Sequence, residues 1–520
     1  MRTALTRRLV LALVFGSLAG VAASFAMLAQ AEPELLHVVL LHTNDVHGQV
    51  QPRPATWLDR EDPPLIGGLP RIAAYVNSVR QEAAAEGYGV LLVDGGDWYQ
   101  GTPEGLIEQG QGYVHALSKV GYDAMAVGNH ELDHGVLPLM QMIAGFELPA
   151  LSANVYLEEG GERVPWCEPW RVVEVSGLRV GIVGLVTTAT PSITHRDASA
   201  LHFQEPGAAL AVAREALAGE VDWVLPITHL GVQADRRLAK AHPDLPVIVG
   251  GHSHTYLKTG VTQGETLILQ SGSKGSAVGR LDLWFDAETR QLERTSYAMV
   301  DLLEEPVAGT RNEELDEICE TLVLRSEKAM SEVVGELLEP LQRNFRRTHS
   351  SPAGNFITDA MRAALDADVA VQNQGGIRCD LPKGPVTRRS LFELQPFGNH
   401  LVLLELTGAD LVELVRASVE GTAHTGLEVS GMTILWDEDE AGGYELTGLE
   451  VAGKAVVAEQ RYRLATNNFL AGGGDGYDLL EEQRVVREDP RLLRELLEAH
   501  FRAVKQVELP KDDRYRKATP

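Results

Sequence analysis

Cysteine is scarce. Three residues, Cys167, Cys319 and Cys379, stand in a chain of 520. An odd, widely spaced set excludes a disulfide framework and a cysteine zinc site, leaving room for one bridge at most. Positive charge is also short. The 46 Lys and Arg face 73 Asp and Glu, for a formal net charge of -27. That balance excludes bulk attraction to a nucleic-acid polymer or an anionic membrane surface. A single small anion stays open as a ligand, because a local cluster of cations overrides the overall field. After the first thirty residues no apolar run reaches membrane-spanning length. Internal repeats and long low-complexity segments are missing too. What remains is 44% apolar and 23% charged, the composition of a globular chain, with length for two or three domains.

The first thirty residues are the exception. Arg2, Arg7 and Arg8 precede an apolar run over 9–28, and Ala29-Gln30-Ala31 offers a small-x-small cleavage site. A basic start, an apolar middle and a small-residue end predict a secretory signal peptide over 1–31. The expected location is periplasmic or extracellular, with no stable membrane insertion once the leader is removed.

From residue 35 onward, short apolar runs recur at 36–41, 90–93, 124–127, 180–186, 223–227 and 247–249. Helix-like stretches such as 69–85 and 206–218 alternate with them. The alternation predicts an α/β domain over 32–310 whose strands are buried on both faces, with a strand-rich end at 276–300. Residues 311–332 carry Leu315, Ile318, Leu322 and Leu324 at roughly helical spacing among charges, which predicts an exposed linker helix. A second α/β domain is expected over 333–510, with helices at 354–365 and 408–419.

Five polar clusters follow five of the apolar runs. They contain Asp45 and His47, then Asp97, then Asn129 with His130 and Asp133, then His229, and finally His252 and His254. Ligands of α/β sheets gather beyond the carboxyl ends of the strands, so these clusters can converge. Asp, Asn and His without thiols suit divalent ions such as zinc, manganese or iron. Seven ligands exceed one tetrahedral site and suit two ions that share a bridging carboxylate. Glycines beside Asp97, Asn129 and His252 allow close backbone approach. His115, His134, His195, His202, His242 and His424 lack this context.

Together these motifs resemble the calcineurin-like metallophosphoesterases, and the spacing and long second domain are similar to the secreted 5′-nucleotidases. The resemblance implies a four-layer α/β/β/α sandwich, a linker helix and a C-terminal α/β substrate-binding domain. It implies that Asp45, His47, Asp97 and His254 hold one metal, and that Asp97, Asn129, His229 and His252 hold the other. A water or hydroxide held by the metals would be the nucleophile. His130 would contact the phosphoryl group and the leaving oxygen, oriented by Asp133. An i, i+3 spacing permits that pairing if the loop opens a helix.

The second domain adds Asn373-Gln374-Gly375-Gly376-Ile377-Arg378, a loop with Phe397, and a glycine-rich loop with Phe469 and Asp475. Two aromatic rings on separate loops can sandwich a base, at about 1–3 kcal/mol per base. A carboxylate can accept from ring or ribose donors, and an arginine suits phosphate. The same resemblance gives Phe397 and Phe469 to base stacking, Asp475 to the nucleoside, and Asn373 and Arg378 to nucleoside and phosphate contacts. Arg346 and Arg347 fall slightly out of register with a further family arginine and receive no role. The activity implied is release of phosphate from nucleoside 5′-monophosphates. Relatives of this layout also cleave 2′,3′-cyclic nucleotides, nucleotide sugars or sulfur esters.

Overall fold

The computed structural model describes residues 34–55, 57–59, 62–303, 310–440 and 442–518. The leader expected over 1–31 lies outside them, and no described helix is long and apolar enough to cross a membrane.

Alternation along single strands sets the layers. In the strand Leu35–Thr43, Val39 and Leu41 share a core with Ile72 and Val76 of the helix Leu69–Glu86. Val38 and Leu40 share a different core with Ile182, Leu225 and Val249. Successive side chains point to opposite faces, so a strand apolar on both faces has to lie inside a stack. Two six-stranded sheets pack on each other in this way. One runs in the order Leu292–Asp301, Ala277–Asp286, Leu35–Thr43, Gly89–Asp94, Ala124–Ala126, Ala150–Leu151. The other runs Val261–Gln263, Thr266–Leu269, Val247–Gly250, Trp223–His229, Leu178–Val186, Trp170–Val175. The central pairings are parallel, and the register sets Thr43 opposite Asp94 and Thr228 opposite Gly250. Neighbouring strands therefore release their loops at one level. Helices cover both outer faces, with Leu69–Glu86 and Val136–Phe146 on the first sheet and Pro206–Leu217 and Val232–Ala241 on the second. The four layers are those expected, and the helices at 69–85 and 206–218 are displaced by one residue at most. Leu69–Glu86 stops at Gly87, whose φ of 82° lets its N–H reach the Ala83 carbonyl.

The helix Glu313–Met330 opens at Asn312, whose side chain accepts from the Leu315 N–H. Leu315, Cys319 and Leu322 enter the first core on one stripe, and Leu324 on the far side is 71% exposed. After it, a five-stranded sheet runs Leu427–Ser430, Val369–Asn373, Arg461–Asn467, His400–Thr407, Arg484–Leu492. Leu401 and Leu403 face a core with the helices Pro352–Leu365 and Leu493–Val504, while Val402 and Leu404 face one with Gly408–Val419. The two halves meet at Arg389. Its guanidinium reaches both oxygens of the buried Glu104 carboxylate, at 2.8 and 2.5 Å, and Ser326 Oγ of the intervening helix at 3.2 Å.

Candidate metal centre and adjoining pocket

Every cluster predicted to converge leaves the end of a strand in the two packed sheets. Asp45 and His47 follow Leu35–Thr43, Asp97 follows Gly89–Asp94, Asn129 and His130 follow Ala124–Ala126, His229 ends Trp223–His229, and His252 and His254 follow Val247–Gly250. Ligand atoms of Asp45, His47, Asp97 and His254 lie within 4.8 Å of one another, and so do those of Asp97, His229 and His252. Asp97 belongs to both groups. His229 Nε2 is 3.1 Å from Asp97 Oδ2, and His254 Nε2 is 3.3 Å from Asp45 Oδ1. Asn129, on the adjoining loop, is buried. None of the six histidines set aside in the sequence joins either group.

The donor chemistry fits cations. His47 Nδ1 is 2.7 Å from the Gln100 carbonyl and His229 Nδ1 is 2.8 Å from the Gly95 carbonyl. An imidazole that donates from Nδ1 presents a lone pair at Nε2. His47 Nε2 stands only 2.9 Å from His254 Nε2, and the buried Asn129 Oδ1 has no hydrogen-bond partner. Burial alone raises the Asp97 carboxyl, yet His229, His130 and His47 hold it well below the carboxylate range. Burial opposes charge on His229 as well, but Asp97 and Asp45 drive it up to about 10. The carboxylates thus demand positive charge where the orphaned atoms point, and a divalent ion supplies it. His252 shows the complementary effect, since burial and then His229 push it down to about 3, leaving it neutral as a ligand must be.

The backbone is bent to this task. Asp45, His47, Asp97, His252 and His254 all have φ between 51° and 75°, a region that costs a non-glycine residue about 1–3 kcal/mol. Hydrogen bonds hold them there. Glu131 accepts from the N–H groups of Asp97 (2.9 Å), Trp98 (2.7 Å) and Gly128 (2.7 Å). Burial and Asp97 push its carboxyl up to about 8 against those bonds. Asn44 donates to Asp45 Oδ2 (2.7 Å) and to the Gly272 carbonyl (2.8 Å), while the His252 N–H donates to Asp45 Oδ2 at 3.0 Å. Gly128 is required by contact, because a Cβ there would lie 2.3 Å from Asp97 Oδ1. Glu131 and Asn44 adjoin the predicted ligands in the chain, but nothing in the sequence signals their supporting bonds.

His130 opens a short helical turn, and its Nδ1 is 2.7 Å from Asp133 Oδ2. Its Nε2 lies 3.9 Å from Asp97 Oδ2. Burial opposes its protonation, but Asp133 and Asp97 outweigh burial and raise its pKa.

The second half supplies a wall to this centre. The Phe397 ring stacks on His130 with centroids 5.5 Å apart and planes at 21°. Arg378 Nη2 comes within 3.5 Å of His47 Nε2, with its guanidinium 5.6 Å from the Phe397 ring. Farther along, the half-buried Phe469 lies against Gly474. Asp475 Oδ2 accepts from Asn373 Nδ2 (2.8 Å) and Thr425 Oγ1 (2.7 Å). Phe397 thus stacks directly on His130. Arg347 is engaged elsewhere, donating to the carbonyls of Ser418, Ala423 and His424. Arg343, passed over in the sequence, donates to the Ile377 carbonyl beside Arg378 at 3.2 Å.

A four-layer sandwich with two carboxylate-linked ligand groups at its strand ends is the architecture of a dinuclear metallophosphoesterase. Residues 38–256 match the calcineurin-like phosphoesterase family, and residues 333–482 match the 5′-nucleotidase C-terminal domain. The chain is 27% identical over 510 residues to protein UshA of Escherichia coli (strain K12), covering 89% of this chain and 90% of that protein. It resembles the crystal structure of a 5′-nucleotidase precursor from Thermus thermophilus with a TM-score of 0.81 and 29% identity, over 93% of this chain and 100% of that one. With the sulfate thiohydrolase SoxB of Thermus thermophilus it shares the fold alone, at a TM-score of 0.80 and 20% identity over 94% and 98% of the two chains. The chain thus joins a calcineurin-like phosphoesterase domain to a 5′-nucleotidase C-terminal domain. It is a metal-dependent hydrolase, and enzymes of this kind use two divalent ions.

Proposed function

We propose that the protein releases phosphate from nucleoside 5′-monophosphates. The observation that carries this reading is the meeting of Arg378 and Phe397 from the second half with His47 and His130 at the ligand cluster of the first. A site so built has cation ligands, an anion-binding fork and an aromatic wall within one small volume. In this reading Asp45, His47, Asp97 and His254 hold one ion and Asp97, Asn129, His229 and His252 the other, with zinc or manganese as suitable metals. Two such ions lower the pKa of water and cancel phosphate charge. Arg378 binds the phosphate in a planar fork. His130, held by Asp133, meets the phosphoryl group and the departing ribose oxygen and supplies that oxygen with a proton. Phe397 and Phe469 take the base, while Asp475 and Asn373 take the nucleoside. The segment 32–310 performs the reaction, 311–332 joins, and 333–510 selects the substrate. The composition of residues 1–31 supports export, and a soluble nucleotide outside the cytoplasm is a fitting substrate. The relatives named as 5′-nucleotidases support the same choice. The likeness to SoxB raises a sulfur-ester hydrolase as the second reading, which two phenylalanines and a buried aspartate do not favour.

Phosphate release from AMP, UDP-glucose and 2′,3′-cyclic AMP tests the proposal, before and after chelation and with zinc, manganese or cobalt restored. AMP hydrolysis that disappears on chelation and returns with metal is expected. A preference for cyclic AMP or UDP-glucose over AMP would replace the substrate assignment, and silence on all three with every metal would overturn it.

A further inference from the structure

The carboxylate that orients His130 is itself held. Asp133 Oδ2 faces His130 Nδ1 at 2.7 Å, and Asp133 Oδ1 accepts a hydrogen bond from Thr194 Oγ1 at 2.8 Å. Thr194 lies 61 residues away, at the end of the four-residue helix Thr190–Ile193. That segment is anchored at its start, where the Thr187 N–H donates to the carbonyl of His229 at 3.1 Å and Thr190 Oγ1 donates to the Thr187 carbonyl at 2.7 Å. The helix also lies against Gly474–Gly476, the turn that carries Asp475. A strut therefore runs from the backbone of a candidate metal ligand, past the Asp475 turn, to the second oxygen of Asp133.

A carboxylate bound through one oxygen can rotate about its terminal torsion, which is broad and soft. Bound through both, it fixes the plane in which the imidazole N–H must lie. The ring is then held from three directions: by Asp133 at Nδ1, by the Phe397 face, and by its own backbone N–H, which donates to Asp97 Oδ1 at 2.9 Å.

We propose that Thr194 is a positioning residue for phosphate-ester hydrolysis: through Asp133 it fixes the His130 imidazole so that Nε2 is aimed at the departing ester oxygen. The inference rests on the reading of His130 as the proton source for that oxygen. As water forms the new bond to phosphorus, the old P–O bond breaks with its electron pair on the ester oxygen. The protonated ring gives its Nε2 proton to that oxygen, the alcohol leaves, and the ring is left neutral, keeping its Nδ1 proton hydrogen-bonded to Asp133. The attacking water's spare proton goes to solvent, from which His130 is recharged. A misaimed ring slows this transfer only where the leaving oxygen needs a proton.

The leaving group is accordingly the probe. AMP expels a basic alkoxide, whereas p-nitrophenyl phosphate expels a phenolate that departs unprotonated. Thr194→Val, close in shape and lacking the hydroxyl, should lower the ratio of kcat on AMP to kcat on p-nitrophenyl phosphate about tenfold, a part of the 10²–10⁴-fold range of acid–base catalysis. KM for AMP should stay within about twofold, since no substrate contact is lost. Thr194→Ser should restore the ratio. In the metal-free protein, the Nδ1 proton resonance of His130 should be sharp in the wild type and in Thr194→Ser and broadened in Thr194→Val. Thr194→Ala carries the same expectation if the valine variant fails to fold. Equal losses on both substrates, or no loss on either, would overturn the role given to Thr194. His130→Ala separates the two layers of inference. If it too slows both substrates equally, the reading of His130 as proton source is what fails.

Discussion

The candidate metal centre and the proposed nucleoside pocket are built on opposite plans. At the candidate centre, five of the proposed ligands sit in left-handed backbone, three of those five are buried, and the loops are tied by Glu131 and Asn44. In the proposed pocket, Phe397 and Phe469 are only partly covered, the first on a loop and the second in the short helix Asn468–Ala471, and only the Asp475 turn shares the left-handed backbone, with a φ of 59°. Asp475 and Asn373 already satisfy each other. The contrast follows from what each region must resist. Ligands that converge on cations repel or orphan one another until a cation arrives, so the fold has to hold them against that repulsion. A base stacks on any ring that is near enough, so its pocket can be assembled from ordinary loops. Rigidity is concentrated where electrostatic frustration is greatest.

That contrast can be broken at several strengths. The heaviest blow falls on the shared ligand. Asp97→Asn should reduce phosphate release by about 10³-fold or more, because in the proposed arrangement both ions lose a charged ligand worth several kcal/mol. Metal content measured on the purified variant should drop with it, and a variant that keeps both ions and its activity would remove Asp97 from the bridging position. Next comes the seam between the regions. Arg389→Met leaves the buried Glu104 carboxylate without its cation, a loss of about 3–5 kcal/mol. The denaturant midpoint should fall, and Glu104→Gln in the same chain should recover part of it. No change would mean that the two halves are stabilised independently.

Glu131→Gln tests whether the tied backbone matters to the ions. A supporting residue of this kind is worth about 10–100-fold in metal affinity, read by competition with a chelator. If affinity is unchanged, the left-handed loops hold themselves. Phe469→Ala should be the mildest at the reaction itself. It removes about 1–3 kcal/mol of stacking, seen as a higher KM for AMP with kcat changed far less. An unaltered nucleotide affinity would take Phe469 out of the pocket and leave Phe397 as the one ring that acts.

Much of the scaffold was legible before any coordinates. The apolar runs ending in Asp45, Asp97, Asn129, His229 and His252 mark strands and their carboxyl ends because burial on both faces leaves a continuous apolar signature. The helices at 69–85, 206–218 and 408–419 show their 3.6-residue stripe in the same local way. Glu131 was different. Its motif was in view, but its bonds to Asp97 and Trp98 span more than thirty residues, and no local pattern encodes them. Thr194 gave no signal at all. Arg347 illustrates the reverse, since it stood close to a family position yet spends its guanidinium on three backbone carbonyls.

By itself, then, the order of residues determined the layers, the strand ends and the kinds of atoms offered there, since each depends on neighbours a few positions apart. The place of Asp97 in both ligand groups was already implied by the family resemblance, whereas only the tertiary structure decided that Phe397 lies on His130 and that Thr194 grips Asp133. Those outcomes depend on distances between segments far apart in the chain, which are set by how whole sheets pack and not by any local preference.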